Sequence, residues 1–73
     1  MPTQEMRALW HPTRAQILEL LKSEPATRLQ LVDDTGAPFA EVAYHCRALC
    51  NSGCARRSPS SPPRDPNPLY EAV

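Results

Sequence analysis

The chain has 73 residues, of which 41% are hydrophobic and 22% charged, and its formal net charge is zero. This length predicts a single small domain over residues 1–73, near the lower limit for a fold held by one core. No stretch approaches the roughly 18 to 20 apolar residues that a membrane span needs, and "MPTQEMRALW" lacks the apolar centre of a signal peptide. We therefore expect a cytoplasmic protein with no membrane partner.

Charge distribution and cysteine content narrow the class further. Positive charge collects in residues 38–64, which contain four arginines and a single glutamate. The three cysteines are an odd number in a sequence without an export signal, so a disulfide framework is not expected. The sequence contains no Gly-rich phosphate loop, nucleophile elbow or set of convergent carboxylates. We therefore expect neither an enzyme nor a cofactor.

Two helices are predicted in the first third of the chain. Thr3 is a suitable N-cap for a short helix over residues 4–10. Pro12 suits the first position of a second helix over residues 12–24, because its fixed φ fits there and its missing N–H needs no partner. The apolar stripe of this second helix recurs at helical spacing and consists of Ile17, Leu18 and Leu21.

A pair of helices joined by a short turn follows. Thr27 and Gln30 form a capping box, T-x-x-Q, at the start of a third helix over residues 28–35. Gly36 suits the left-handed position after that helix. A fourth helix over residues 38–52 has an apolar residue every three or four positions and is ended by a second glycine. Its predicted buried stripe consists of Phe39, Val42, Cys46 and Leu49.

The last twenty residues have a different character. Residues 54–73 contain five prolines, too many for a helix or a central strand. Within them "CARRS" and "LYEAV" can form two short strands joined by the Pro-rich loop. The predicted architecture is mainly α (α+β), with four helices followed by a two-stranded β wing. That order of elements defines a winged helix-turn-helix.

Two stretches are also familiar in their spacing: "HPTRAQILELLKSEPAT", and "VAYHCRAL" followed by "SGC". They resemble the opening helix and the recognition helix of ArsR-like winged helix-turn-helix transcriptional regulators. The likeness covers residues 11–54 well and reaches "LYEAV" more loosely. Three positions depart from the family pattern: Cys54 and Ala55 stand where the first wing strand begins with large apolar residues, and Thr35 stands where a core leucine is common. The resemblance implies that the fourth helix enters the DNA major groove and that the wing lies on the backbone.

The outward face of the helix over residues 38–52 supplies the candidate base contacts. With the apolar stripe buried, the residues that face outward are Ala40, Glu41, Ala43, Tyr44 and Arg47. Arginine can bind guanine through two hydrogen bonds, alanine can touch a thymine methyl, and glutamate can accept from cytosine N4. Tyrosine can stack or donate from its hydroxyl. The wing is predicted to contribute phosphate contacts, which position a protein without specifying sequence, from Arg56, Arg57 and Arg64.

Two further residues have competing interpretations. His45 lies beside the buried stripe, so it either makes a hydrogen bond that orients the helix or contacts a backbone phosphate. We count it among the candidate DNA contacts. Arg14 lies in the first turn of the helix over residues 12–24 and is expected to pair with a nearby carboxylate, with a phosphate contact as the weaker alternative.

The spacing of Cys46, Cys50 and Cys54 raises the question of a metal or redox site. Cys46 and Cys50 share a helix face, but a thiophilic metal needs at least three convergent ligands. Free cysteine is among the most buried residue types, and Cys46 and Cys54 stand where the ArsR-like pattern has apolar residues. We therefore predict packing for these two and no metal site, with Cys50 alone unexplained.

The function predicted from the sequence is specific binding of double-stranded DNA by a transcriptional regulator, with repression as the expected outcome. Two alternatives stay open. One is a winged-helix module that binds proteins, which the zero net charge favours, and the other is a thiol-based, metal-responsive regulator. The effector is left unassigned, and a homodimer through the N-terminal helix is one arrangement to test.

Overall fold

Three helices and three short strands make up residues 11–73, the part of the chain that the computed structural model describes. In chain order they are α1 (Pro12–Ser23), β1 (Ala26–Thr27), α2 (Arg28–Thr35), α3 (Phe39–Asn51), β2 (Ala55–Arg57) and β3 (Leu69–Ala72). The three helices predicted in this range are confirmed to within one residue at either end. The helix predicted over residues 4–10 lies outside the described residues.

The residues at its two ends set the bounds of α1. Nδ1 of His11 accepts a hydrogen bond from the backbone N–H of Thr13 at 3.2 Å, which satisfies one of the donors left free at a helix start. Pro12 takes the first helical position, as predicted. At the other end the backbone turns extended at Glu24, and Pro25 follows, whose ring does not allow the helix to continue.

The capping box at the start of α2 is confirmed. The N–H of Gln30 donates to Oγ1 of Thr27 at 3.2 Å, and the side-chain oxygen of Gln30 accepts from the N–H of Thr27 at 2.8 Å. Gly36 ends the helix with φ of 74°, a left-handed conformation that glycine adopts without strain. Only Gly36, Ala37 and Pro38 then separate α2 from α3, so the two helices form a tight helix-turn-helix.

The departure from the ArsR-like pattern at Thr35 has a structural reason. Its hydroxyl donates to the carbonyl of Leu31 at 2.7 Å and accepts from the N–H of Ala37 at 3.2 Å. Thr35 therefore satisfies backbone groups on both sides of the end of α2, which a leucine at this position could not do.

The prediction that Phe39 lies in the core is wrong. Its side chain is 44% exposed, and the guanidinium of Arg28 lies over its ring with Cζ at 5.2 Å from the centroid. Phe39 is the first residue of α3 and therefore lies at the very end of its predicted buried stripe. The buried residues of α3 are Val42, His45, Cys46 and Leu49, so His45 belongs to the stripe and Phe39 does not.

The core lies between the three helices and one face of the sheet. It consists of Ile17, Leu18, Leu21, Ala26, Leu31, Val42, Cys46, Leu49 and Ala55. Full burial of a leucine or isoleucine side chain contributes about 1.5–3 kcal/mol. In so small a core, the leucine and isoleucine positions carry most of the apolar stabilisation, and α3 is held with one face inward.

The wing strands are confirmed, but they belong to a larger sheet than predicted. β3 is central, with β2 antiparallel on one side and β1 antiparallel on the other. Ala26 of β1 pairs with Tyr70, and Arg56 of β2 pairs with Glu71. A strand of two residues is too short to show a period-two pattern, so β1 was not predicted. The small Ala55 is buried and anchors β2 to the core.

Candidate nucleic-acid interface

A groove with a volume of about 540 Å³ runs between α3, the start of α2 and strand β3. It is lined by Arg28, Ala40, Ala43, Tyr44, Arg47, Cys50 and Tyr70. Four of the five residues predicted to face outward from α3 therefore share one concave surface. Arg28 and Tyr70 were not predicted, because no local pattern shows that the start of α2 and the last strand meet beside α3.

Tyr44 and Arg47 are the most accessible polar groups on this surface. Tyr44 is 63% exposed, and its ring is supported from behind by two contacts. Cζ of Arg14 lies 5.5 Å from the centroid of the ring, and the His45 ring meets it edge-on at 5.5 Å. Arg47 is exposed and makes no ion pair or hydrogen bond within residues 11–73. No group within that range therefore occupies its guanidinium.

Arg28 connects the groove to the wing. One of its terminal nitrogens, Nη2, donates to the carbonyl of Pro66 at 3.3 Å, and its guanidinium lies over the Phe39 ring. Nε of Arg28 is buried and has no hydrogen-bond partner within the described part of the chain. Because Arg28 as a whole is only half-buried and lines the groove, its guanidinium is suited to bind an anionic ligand.

His45 is not at the surface, and the expectation that it contacts DNA is wrong. Its side chain is 2% exposed, and its Nδ1 accepts a hydrogen bond from Nε of Arg14 at 3.2 Å. Burial lowers the pKa of His45, and the electrostatic effects of His11 and Arg14 act in the same direction against the opposing hydrogen bond to Glu41. The alternative interpretation, a hydrogen bond that orients α3, agrees with these contacts.

Glu41 and Arg14 also have partners other than those predicted. Oε1 of Glu41 lies 3.5 Å from Nε2 of His45 and 4.0 Å from Nε2 of His11, so this carboxylate faces the imidazoles and takes no part in lining the groove. Arg14 was expected to pair with a carboxylate, but among residues 11–73 its contacts are with His45 and the Tyr44 ring. Helical spacing places a side chain on a face, but it does not choose among neighbours on that face.

The three wing arginines differ from one another in their environment. Nε of Arg56 donates to Oε2 of Glu71 at 2.8 Å, and this bond lowers the pKa of Glu71. Nη2 of Arg57 donates to the carbonyls of Pro62 and Asp65, at 2.6 and 3.3 Å, so Arg57 holds the wing loop. The phosphate contact predicted for Arg57 stays a prediction, since its side chain is exposed and only Nη2 is used by the loop. Arg64 is exposed and has no internal partner within the described range.

The cysteines behave mainly as packing residues. Cys46 is fully buried, and burial raises the pKa of its thiol to about 11. Cys54 packs against the core, with its sulfur 3.6 Å from the Ser52 hydroxyl. Cys50, which packing did not explain, lines the groove, and burial raises its pKa as well. Within residues 11–73 no group of three candidate metal ligands includes a cysteine, whereas His11, Glu41 and His45 form such a group.

None of the helices in residues 11–73 has both the length and the apolar character that crossing a membrane requires. The three helices and the wing define a winged helix-turn-helix domain, with the groove on the exposed side of its second turn helix, α3.

Comparison with known proteins supports this class through structure and not through sequence. No protein-family model matches the sequence, and no curated protein is similar to it. Among solved structures, the fold is similar to the homodimeric winged helix-turn-helix DNA-binding domain of Mb0332 from Mycobacterium bovis, described as a possible ArsR-family transcriptional regulator. The two share 20% sequence identity with a TM-score of 0.77, over 94% of this chain and 60% of that one.

Two other solved structures have the same fold. Rv0081 from Mycobacterium tuberculosis is 22% identical with a TM-score of 0.75, over 92% of this chain and 64% of its own. Reduced HlyU from Vibrio cholerae is 16% identical with a TM-score of 0.80, over 96% of this chain and 70% of its own. The chain thus spans less than two thirds of the first two proteins. The expected likeness to ArsR-like winged helix-turn-helix proteins is confirmed at the level of the fold.

Proposed function

We propose that the chain binds double-stranded DNA in a sequence-specific manner and acts as a transcriptional regulator. The observation that carries this proposal is the exposed pair Tyr44 and Arg47 on the outward face of α3. In a helix-turn-helix, that face belongs to the helix that enters the major groove. The winged helix-turn-helix neighbours, one of them described as a DNA-binding domain, support the same assignment.

In the proposed binding mode α3 lies in the major groove, which is wide enough to admit a helix. Arg47 forms two hydrogen bonds to a guanine, and Tyr44 stacks against a sugar or a thymine methyl. Ala40 and Ala43, with no more than a methyl group each, allow the helix to approach the base edges closely.

Phosphate contacts come from three arginines around this helix. Arg28 extends the basic surface from the start of α2, where the N-terminal end of a helix also favours an anion. Arg64 lies exposed in the wing loop, and Arg56 at the edge of the wing is exposed enough to exchange Glu71 for a phosphate. These contacts position the domain and make binding depend on salt, without selecting a sequence.

We further propose that two copies act together as a homodimer, as Mb0332 does. A two-fold dimer places two recognition helices about 34–36 Å apart, one turn of DNA, and therefore reads a palindrome. A dimer bound over a promoter blocks the polymerase, so repression is the expected direction of regulation. Light scattering measures the dimer, and a promoter fusion assayed with and without the protein measures the direction.

The binding experiment starts by selecting duplexes from a random pool with the purified chain and then measures affinity by fluorescence anisotropy. The expected result is an enriched sequence whose affinity falls steeply as salt rises from 50 to 200 mM, because released counterions drive the binding. Absence of any enriched sequence, or affinity that ignores salt, would overturn the proposal.

A matched pair of variants separates base reading from general charge. Arg47→Ala removes the predicted guanine contact and is expected to weaken the selected duplex by about 5- to 150-fold, or 1–3 kcal/mol. Lys22→Ala removes one positive charge from α1, where Lys22 pairs with Glu19 and lies outside the groove. Its expected effect is less than about twofold, since an exposed charge far from the interface is largely screened. Equal losses in the two variants would argue against reading by α3.

A second candidate function is a protein-binding module, favoured by one observation. The net charge of the chain is zero, and two of the three wing arginines are engaged by the protein itself. Fewer wing arginines are therefore available to contact DNA phosphates than the sequence suggests. A partner captured in a salt-insensitive manner and unaffected by Arg47→Ala would support this function over DNA binding.

A further inference from the structure

Three side chains outside the groove converge between α1 and α3. His11 caps the start of α1, and Glu41 and His45 lie one helical turn apart on α3. Their candidate ligand atoms all lie within 4.8 Å of one another. We propose that these three residues form a binding site for a divalent transition metal, with Zn²⁺ as the expected ion. This site goes beyond the proposed function, since neither its residues nor its chemistry is needed for reading DNA.

The geometry is close to that of a bound metal before any ion is added. In a tetrahedral site with ligands at about 2.0–2.1 Å from the metal, neighbouring ligand atoms are about 3.3 Å apart. Oε1 of Glu41 is 3.5 Å from Nε2 of His45 and 4.0 Å from Nε2 of His11. The two imidazole rings lie with their centroids 4.4 Å apart and tilted by 47°. Shifts of less than about 1 Å in exposed His11 and half-exposed Glu41 would close the site.

The donor set favours ions of borderline softness. Two imidazole nitrogens and one carboxylate oxygen suit Zn²⁺, Co²⁺, Ni²⁺ and Cu²⁺ better than Mg²⁺ or Ca²⁺, which prefer oxygen alone. Three protein ligands leave a fourth position for water, because His11 is exposed to solvent. The negative charge of Glu41 offsets half of the charge of the ion.

Hydrogen bonds within the protein compete with the metal. Nδ1 of His11 accepts from Thr13 and Nδ1 of His45 accepts from Arg14, so each neutral ring carries its proton on Nε2, toward Glu41. A metal at Nε2 requires each proton to move to Nδ1, and both of these hydrogen bonds are then lost. Arg14 also repels a cation. We therefore expect moderate affinity that increases when Arg14 is neutralised.

The experiment titrates the purified 73-residue chain with Co²⁺, whose visible bands report tetrahedral nitrogen and oxygen ligands, and then displaces it with Zn²⁺. The expected result is one ion per chain, with visible bands and no sulfur-to-cobalt charge-transfer absorption in the near ultraviolet. Several ions of equal affinity, or strong sulfur-to-cobalt absorption, would overturn the assignment.

Two variants remove single ligands while keeping the local structure. His11→Ser retains a side chain that caps α1, because serine is a preferred N-cap. Glu41→Gln retains the shape of the side chain without its charge. Each is expected to weaken Zn²⁺ binding at least about tenfold, by loss of a ligand. Unchanged affinity in either variant contradicts the site, and circular dichroism verifies that both variants fold.

Two further variants sharpen the assignment. Arg14→Met keeps the length of the side chain but removes the competing donor and charge, so it is expected to tighten Zn²⁺ binding about three- to tenfold. Unchanged or weaker binding would contradict a metal on Nε2 of His45. Cys50→Ser and Cys54→Ser are expected to leave the affinity within about twofold of the wild-type chain. A large loss in either would assign the metal to thiols and overturn the proposal.

Discussion

Helix α3 and the wing both carry arginines predicted to contact DNA, but within residues 11–73 the protein itself engages two of the three wing arginines and leaves the arginine of α3 without a partner. Arg47 has no partner within residues 11–73, whereas Arg56 is paired with Glu71 and Arg57 is bonded to two backbone carbonyls. The formal charge of a segment therefore overstates the number of cationic side chains that can bind a ligand. Arginines that already pair with groups of the protein itself must be subtracted from that number.

The reason lies in the backbone of each region. In a helix the backbone groups satisfy one another, so outward side chains are not needed for the fold. The strand pairs of the wing are only three and two residues long, and the loop between β2 and β3 contains five prolines, which lack N–H donors. Carbonyls in that loop need donors from elsewhere, and Arg57 supplies one.

The largest expected effect comes from removing a core side chain of α3. Leu49→Ala empties a fully buried position and is expected to reduce the free energy of unfolding by about 2–5 kcal/mol. Phe39→Ala is the matched control on the same helix, because its half-exposed ring should cost less than about 1.5 kcal/mol. Urea denaturation followed by circular dichroism measures both. Similar losses would mean that Phe39 belongs to the core after all.

A pair of wing variants tests whether Arg57 stabilises the fold more than it binds DNA. Arg57→Ala is expected to reduce the free energy of unfolding by about 1 kcal/mol, since two hydrogen bonds to carbonyls are lost at an exposed site. Arg64→Ala should leave stability unchanged and reduce the slope of log affinity against log salt by about 1, as one phosphate contact is lost. Unchanged stability in Arg57→Ala together with a reduced salt slope would show that Arg57 binds phosphate and does not hold the wing loop.

A smaller effect is expected at Arg14, which contacts Tyr44 but does not line the groove. Arg14→Lys keeps the charge but loses the planar group that lies over Tyr44 and the Nε donor to His45. We expect about a two- to fivefold loss of DNA affinity with an unchanged salt slope, because Tyr44 is less well held. Anisotropy titrations at several salt concentrations measure both quantities. A reduced salt slope would instead make Arg14 a phosphate contact.

The smallest effect concerns pH and the pair of Arg56 and Glu71. Arg56 lowers the pKa of Glu71 below its value in the unfolded chain, so the pair stabilises the fold above that unfolded value. The contribution is lost as the pH falls through the lower pKa of the folded state. The free energy of unfolding of Glu71→Gln should therefore fall slightly less than that of the wild-type chain as the pH is lowered from neutral into the acid range. Identical acid profiles for the two chains would show that the pair contributes nothing.

The sequence predicted the elements better than the partners of its polar side chains. Helix ends are marked by local chemistry, as at Thr27, Gln30 and Gly36, and all three behave as predicted. The groove face of α3 followed from periodicity, which correctly grouped Tyr44 and Arg47 with the alanines beside them. These features depend on residues close together along the chain.

The errors have a common physical origin. Adjacent positions on a helix differ by about 100°, so a pattern that buries Cys46 cannot decide whether His45 is buried with it. His45 is buried because Arg14, 31 residues away, provides a donor for its ring. Arg28 and Tyr70 line the groove because β1, just before Arg28, pairs with β3, which contains Tyr70, and no local sequence pattern predicts this pairing. Long-range pairing decides these details, and a single sequence does not record it.

The two-residue strand β1 connects the wing to the helix-turn-helix. Its pairing with β3 joins the wing to the residues immediately before α2, and the Arg28 bond to Pro66 adds a second link. Under the proposed binding mode these links fix the distance between α3 and the wing. A duplex whose grooves do not match this distance must deform to bind. The domain would then discriminate among sequences by their stiffness, even at base pairs that it does not contact.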